Sequence, residues 1–346
     1  MLTPKENHLF TGHAREIENL SKLFVSSRVP HGFLIAGALG LGKATLAYRL
    51  ARFILGGGLE NAGSGNLFGT PEIDFSMSTT HPVFAKIATG THPDLMVLET
   101  NSEEEKNEIT VDDVRKISGF LRLTSAESGW RVVIIDSVDE MNRNAANALL
   151  KILEEPTAKS FLILISHSPG RLMPTIKSRC CVLKLNPLKE QEVQEVFSGI
   201  KADVNDFAIT ICEGSPGVAL TLTQNKADEI YENFLGIIST MPEPDIEKIL
   251  EFAEKVSGKN EEIWKITNYL IGRFITLAAK YSVGAEVIFS LPEERMAVEK
   301  LVGISSIAKL SELASRLQEW HSSDEIFHLD RRAIMSDIFN LFKKAA

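Results

Sequence analysis

The chain has 346 residues, of which 44% are hydrophobic and 24% charged, and its formal net charge is −9. This composition is typical of a soluble globular protein with two or three domains. The negative net charge excludes binding of nucleic acid through positive charge spread over the whole chain. No apolar run is long enough to cross a bilayer, and the N-terminus lacks the basic start and apolar core of a signal peptide, so we expect a cytoplasmic protein without membrane contact.

Up to about Leu185, short β-branched runs alternate with segments of helical periodicity. The runs GFLIAG, DLMVLE, RVVIID and FLILIS predict buried strands, which are apolar throughout as parallel strands are. The segments ATLAYRLARFIL, VDDVRKISGFLRL and NAANALLKILEE predict helices between them, the last of which Pro156 ends. The Gly- and Ser-rich residues 56–82 predict a mobile surface insertion. The pattern as a whole predicts an α/β domain, with a parallel sheet covered on both faces.

Beyond Leu188 the sequence predicts helices alone, with apolar residues three and four positions apart. We therefore divide the chain into an α/β domain over residues 1–186, a small helical lid over 187–227 and an all-α domain over 228–346. The segment TMPEPD predicts a turn within the last of these.

The stretch GALGLGKAT follows the first predicted strand and begins a helix, as a phosphate-binding loop does. Gly37, Gly40 and Gly42 permit close approach of the backbone to a phosphate, and Lys43 supplies a positive charge. The next residue is alanine, where such loops carry the Ser or Thr hydroxyl that holds Mg²⁺. Thr45, one place further on, is a partial substitute for that hydroxyl.

The strand RVVIID supplies the second half of a nucleotide site. Asp136 ends this strand, where it is suitably placed to contact Mg²⁺ through water. The following residue is Ser137, and its hydroxyl cannot replace the glutamate that polarises the attacking water. Asp139 and Glu140 lie too far along the chain to take this role. Each of the two losses, at positions 44 and 137, is expected to slow hydrolysis by orders of magnitude. The motifs therefore predict a nucleotide fold without ATPase activity of its own.

Several segments resemble the AAA+ clamp loaders of DNA replication, and within them the non-hydrolysing subunit of the bacterial DNA polymerase III clamp loader. The resemblance is carried by GLGKATLA, THPDLMVLE, VDDVRKI, RVVIIDSVDEMNRNAANALLKILEEP, SRC and EGSPGVAL, which span most of residues 10–220. It implies a RecA-like AAA+ domain, a lid and a C-terminal collar that mediates oligomerisation. LDRRAIMSDIF near the end of the chain matches more loosely.

The resemblance also implies roles for individual residues. Arg179, with Ser178 in the SRC motif, corresponds to an arginine finger that is offered to the ATP site of an adjacent motor subunit. Arg115 in VDDVR corresponds to a residue that contacts primer–template DNA. Gly217 stands where motor subunits carry a nucleotide-sensing arginine. Several bacterial relatives bind zinc through four cysteines in the insertion, which this chain lacks, so we predict no zinc.

The implied partners are the gamma/tau motor subunits and the delta subunit and, through them, the sliding clamp and DNA. We expect no required cofactor and at most weak binding of ATP or ADP at the degenerate site. Two alternatives stay open at this stage. The chain could be an autonomous AAA+ ATPase that uses Thr45 and Glu140, or the motor subunit of the same clamp loader.

Overall fold

The computed structural model describes residues 3–25, 29–61, 73–100, 108–127, 129–258, 260–316 and 330–345. The chain divides into two compact units. One comprises Met1–Asp203 with Glu213–Gly217, and the other comprises Val204–Cys212 with Val218–Ala346. The three-part division at 1–186, 187–227 and 228–346 stays a prediction. No helix among the described residues is long and apolar enough to cross a membrane.

The first unit is built on a parallel sheet of five strands in the order β2-β3-β4-β1-β5. Four of the strands are those that the apolar runs predict. The fifth was missed because its four residues alternate between half-buried and exposed positions at the sheet edge. The strands are β1 (Gly32–Ala36), β2 (Leu95–Glu99), β3 (Arg131–Asp136), β4 (Ser160–Ser166) and β5 (Cys181–Lys184).

Helices cover both faces of this sheet, so alternate residues of β1 enter different cores. Phe33 and Ile35 pack with apolar residues of the first two helices, while Leu34 packs with the fifth and sixth. The helices of this unit are α1 (Ala14–Val25), α2 (Lys43–Leu55), α3 (Gly58–Asn61), α4 (Pro82–Ala88), α5 (Val111–Arg122), α6 (Arg143–Glu154), α7 (Pro174–Lys177) and α8 (Glu190–Ile200).

Capping residues define where helices α5 and α6 begin, and these two helices carry several of the candidate site residues. A capping box of Thr110 and Asp113 begins α5, and the Asn142 side chain accepts a hydrogen bond from the Ala145 amide at the start of α6. As predicted, α6 ends just before Pro156. Part of the predicted mobile insertion, residues 62–72, lies outside the described residues.

The regular elements among the described residues of the second unit are all helices, and its aromatic core contains Phe234 in contact with Phe252, Phe274, Phe339 and Phe342. Two segments that the sequence pattern predicts as continuous helices are each divided into two. Lys226 has left-handed dihedral angles and divides the first, and Ser305 has extended dihedral angles and divides the second. The helices are α9 (Asp206–Ile211), α10 (Pro216–Gln224), which begins in the first unit, α11 (Ala227–Ile238), α12 (Ile246–Val256), α13 (Glu261–Ser282), α14 (Pro292–Ile304), α15 (described over 307–316) and α16 (Arg331–Ala345).

Candidate functional site

The glycine-rich loop lies between β1 and α2, where the sequence predicts a phosphate cradle. Gly40 and Gly42 have φ values of 79° and 83°, a backbone conformation that side chains with a Cβ rarely adopt. Gly42 is the N-cap residue of α2, and Lys43 is its first residue. The backbone amides at this helix N-terminus are thus placed as in an anion-binding loop. Thr45 is half-buried in the first turn of α2.

The ammonium group of Lys43 bonds to the loop itself. Its Nζ donates to the Ala38 carbonyl oxygen over 2.5 Å, and the side chain is buried. Burial lowers the pKa of Lys43 to about 8, and the nearby Asp136 and Asp139 partly oppose this. An ammonium group has three N–H donors, so the bond to Ala38 uses one of them and does not by itself prevent contact with a phosphate.

Gly217, where the resemblance predicts an arginine in motor subunits, lies directly against the loop. The Gly217 amide donates to the Gly40 carbonyl over 2.9 Å. A Cβ at position 217 would lie 2.7 Å from the Gly40 Cα, so no larger side chain fits without a backbone shift. The start of α10 therefore packs on the loop, backbone to backbone.

The end of β3 carries the second half of the site. Asp136 is 29% exposed, and its Oδ1 lies 3.8 Å from His167 Nε2. Burial raises the pKa of Asp136 to about 6; Lys43 opposes the rise, and Glu99 and Glu140 add to it. The pKa of His167 is lowered by burial and by Lys43, so the imidazole is neutral at pH 7. Sequence reasoning missed His167. Its place directly after β4, the neighbour of β3, was the available signal.

The acidic residues beyond Asp136 have structural partners. Ser137 is buried, and its hydroxyl bonds to the amide and carboxylate of Asp139. The Asp139 carboxylate also accepts hydrogen bonds from the Ser166 hydroxyl and from the His167 and Ser168 amides, and so joins the ends of β3 and β4. Glu140 accepts a hydrogen bond from the Thr100 hydroxyl over 2.6 Å.

Arg179 lies at the opposite end of the sheet from the glycine-rich loop. It precedes β5, which runs parallel to β1, and a Cβ at Gly32, the first residue of β1, would lie 3.6 Å from the Arg179 carbonyl oxygen. The five residues of β1 span roughly 16 Å. The Arg179 guanidinium is paired with Glu154 at 2.5 Å, and the Ser178 hydroxyl donates to the Thr175 carbonyl.

Arg115 lines a groove of about 680 Å³ between α5 and α6. It is exposed and paired with Asp112 at 2.7 Å. Two further cations that the sequence did not single out, Arg122 and Lys151, line the same groove beside amide and hydroxyl groups and the carboxylate of Glu155. Elsewhere, Cys180 and Cys181 are half-buried free thiols. No group of three or more His, Cys, Asp or Glu side chains in the described part of the chain is placed to hold a metal ion.

A parallel sheet in the order β2-β3-β4-β1-β5, with a phosphate-type loop after β1 and an acidic end on the third strand, defines the AAA+ class of P-loop proteins. The chain belongs to the family described as DNA polymerase III, delta subunit, because the model of that family matches residues 12–189, over half of the chain.

Named relatives agree with this family. The chain is 42% identical over 150 residues to DNA polymerase III subunit delta' of Pseudomonas aeruginosa, which covers 43% of this chain and 41% of the relative. The subunit delta' of Escherichia coli is 32% identical over 60% of this chain and 59% of its own length. That of Bacillus subtilis is 30% identical over 61% of this chain and 58% of its own length. The chain thus matches less than two thirds of each of these relatives.

Proposed function

We propose that this chain is a clamp-loader subunit of delta-prime type that does not hydrolyse ATP itself and that supplies Arg179 to the ATP site of a neighbouring motor subunit. The relatives named subunit delta' of DNA polymerase III support the clamp-loader assignment. The proposed partners are the gamma/tau motor subunits and the delta subunit and, through them, the sliding clamp and primer–template DNA.

One observation carries the inert part of this proposal. Gly217, where motor subunits are expected to carry a sensing arginine, packs with its backbone against Gly40 and leaves no room for a side chain without a backbone shift. The chemistry of the remaining groups agrees with it. Residue 44 has no hydroxyl for a metal ion, Ser137 is not a base, and Asp139 and Glu140 are engaged by other groups of the chain. The glycine-rich loop and Lys43 still suit a phosphate, so we keep weak binding of ATP or ADP in the proposal, without zinc or any required cofactor.

The position of Arg179 supports action in trans. A side chain at the amino end of the sheet cannot serve the loop at its carboxyl end, since the length of β1 separates them. A guanidinium is suited to neutralise the charge that develops on a transferring phosphoryl group. Arginine fingers supplied in trans contribute roughly 10³–10⁵ in rate in well-studied phosphoryl-transfer systems.

The alternatives make different demands of the same site. An autonomous ATPase needs Thr45 as a metal ligand and Glu140 as a base, although the Glu140 carboxylate is bonded to Thr100. A motor subunit needs a sensing arginine at the position where Gly217 packs on the loop. Neither demand matches the described geometry.

ATP turnover by the purified chain alone tests the inert site. We expect no turnover above background. Steady turnover that Lys43→Ala abolishes would establish the autonomous ATPase instead. A motor subunit would in addition hydrolyse ATP faster when primed DNA and the clamp are added.

The groove between α5 and α6 supports a second, positioning role toward DNA. Arg115, Arg122 and Lys151 offer cationic groups of the kind that contact phosphates without reading sequence. Arg115→Ala should therefore weaken binding of primed DNA by the assembled complex to a similar degree for different sequences, and it should lower the salt dependence of binding. Lys265→Ala, on α13 of the other unit, is the matched change of one exposed cation. Equal effects of the two variants would contradict a role for the groove.

A further inference from the structure

We propose that Glu154 holds Arg179 in a resting position, from which the nucleotide of the neighbouring subunit must draw it before the finger acts. This inference rests on the proposed role of Arg179 in trans. It adds a regulatory step at that same site, because the carboxylate of this chain and the phosphate of its neighbour compete for one guanidinium.

The guanidinium is engaged by its own chain at both terminal nitrogens. Nη2 lies 2.5 Å from Glu154 Oε1, and Nη1 donates to the Thr175 carbonyl oxygen over 3.0 Å. Nη1 also lies 3.4 Å from the Ser178 hydroxyl. The fork is therefore turned toward the end of α6 and toward α7.

An arginine binds a phosphate best through two parallel N–H groups on one edge of its plane. The end-on edge uses Nη1 and Nη2, and the side-on edge uses Nε and Nη2. Nη2 has two N–H groups, one on each edge, so the bond to Glu154 uses one of them, and its carboxylate offsets part of the positive charge that a phosphate would attract. The bonds to Glu154 and Thr175 together hold the fork toward its own chain, so Arg179 must turn away from Glu154 to present a full edge to the phosphate of a neighbour.

The position of Glu154 gives this pair a physical basis. Glu154 is the last residue of α6, where the partial negative charge of the helix C-terminus disfavours a carboxylate. A guanidinium from the loop before β5 offsets that cost. The side chain of Arg179 is 34% exposed and that of Glu154 is 47% exposed, so water can replace either partner when the pair opens.

A pair with this exposure is weak enough to open during each catalytic cycle. Exposed ion pairs of this type lower the fraction of the released arginine by roughly two- to fivefold. If the finger contributes only when it is released, the turnover that depends on it is lowered by the same factor. Glu154 would then reduce ATP use by the assembled complex without abolishing it.

The variant Glu154→Gln tests the proposal, first in the isolated chain. The modification of Arg179 by phenylglyoxal, followed by mass spectrometry, reports whether the guanidinium is free. We expect the rate of modification to rise roughly two- to fivefold in Glu154→Gln. It should stay unchanged in Glu195→Gln, which makes the same chemical change at an exposed position of α8. An unchanged rate in Glu154→Gln would overturn the proposal.

The second measurement is ATP turnover by the assembled complex at saturating ATP, with Arg179→Ala as the baseline. Glu154→Gln should raise the Arg179-dependent part roughly two- to fivefold, while the double variant should match Arg179→Ala. If Arg179→Ala equals the unmodified complex, the proposed function itself fails. If Arg179→Ala lowers turnover and Glu154→Gln also lowers it or leaves it unchanged, only the resting-position proposal is overturned. A purely structural pair would lower the unfolding temperature of Glu154→Gln without raising turnover.

Discussion

Asp136→Asn should stabilise the protein at neutral pH, which is unusual for a carboxylate at the end of a sheet strand. In the folded protein the pKa of Asp136 is raised from 3.8 to about 6, with burial as the main cause. A difference of about two pH units corresponds to at most about 3 kcal/mol. The carboxylate is partly exposed, so we expect about 1–3 kcal/mol. The raised pKa already includes the attraction of Lys43, so the loss of that attraction needs no separate correction.

The pH dependence gives this prediction its sign. Because the folded-state pKa exceeds the unfolded-state value, the native protein binds the proton more tightly, and this group's contribution to stability falls as pH rises from about 4 to about 6. Asparagine does not titrate. The free energy of unfolding of Asp136→Asn should therefore exceed that of the unmodified chain by about 1–3 kcal/mol at pH 7.5, and the difference should shrink toward zero at pH 4.

Urea unfolding of the full chain at the two pH values measures this difference, and thermal unfolding should show a rise of about 2–4 °C per kcal/mol for a unit of this size. Asp112→Asn, an exposed change on α5, should alter stability by less than about 0.5 kcal/mol at both pH values. Lower stability of Asp136→Asn than of the unmodified chain at pH 7.5 would contradict this reasoning. A difference in stability between the two proteins that does not depend on pH would also contradict it, because burial would then not disfavour the ionised carboxylate.

Two further substitutions test packing inside each unit, and a third tests an exposed helix face for a role in assembly. Gly217→Ala should destabilise the chain by about 1–3 kcal/mol, because the added Cβ would clash with the loop backbone. Gly119→Ala, at a helical position with open space around it, should be neutral or stabilising. Equal urea midpoints for the two variants would refute the close contact at Gly217. Tyr231→Phe removes a buried hydroxyl that donates to the Glu294 carboxylate over 2.6 Å, and it should lower the free energy of unfolding by about 1–3 kcal/mol. Tyr281→Phe removes a hydroxyl at the surface and should lower it little. Equal losses of stability by calorimetry would contradict a stabilising role for the buried Tyr231–Glu294 bond. Leu250 on α12 is 58% exposed, so Leu250→Glu should leave the stability of the chain nearly unchanged. It should weaken co-elution with the partner subunits, because an exposed apolar side chain is a candidate for an interface. Full co-elution would show that this face of α12 is not part of the assembly surface.

The parts of the fold that were predictable are those in which each segment carries its own signal. Strands β1, β3 and β4 are buried along almost their whole length, so their apolar runs are unbroken. The strand β5 is a short edge, and half of its side chains face solvent, which left no such run. The glycine-rich loop and the residues at positions 44 and 137 were identified from spacing alone.

The contacts that define the site depend on segments that are distant in the sequence. The Gly217–Gly40 bond and the Glu154–Arg179 pair each join two loops or helix ends, and no local pattern encodes their meeting. The burial of aromatic residues in the helical unit also depends on segments that are distant in the sequence. Trp264 and Phe342 are buried in the helical unit, although the helical spacing alone does not tell a core position from one that faces a partner.

The central claim is that Arg179 acts on a neighbour, and the most direct test is ATP hydrolysis by the assembled clamp-loader complex in the presence of primed DNA and clamp. Arg179→Ala should assemble normally, since a half-exposed charge contributes little to stability, and it should lower turnover partially because it affects only the ATP site that Arg179 would serve. Arg179→Lys should also fail, because a point charge cannot replace a forked donor. If the alanine variant assembles and hydrolyses ATP at the unmodified rate, Arg179 is only the surface partner of Glu154, and the function in trans is contradicted.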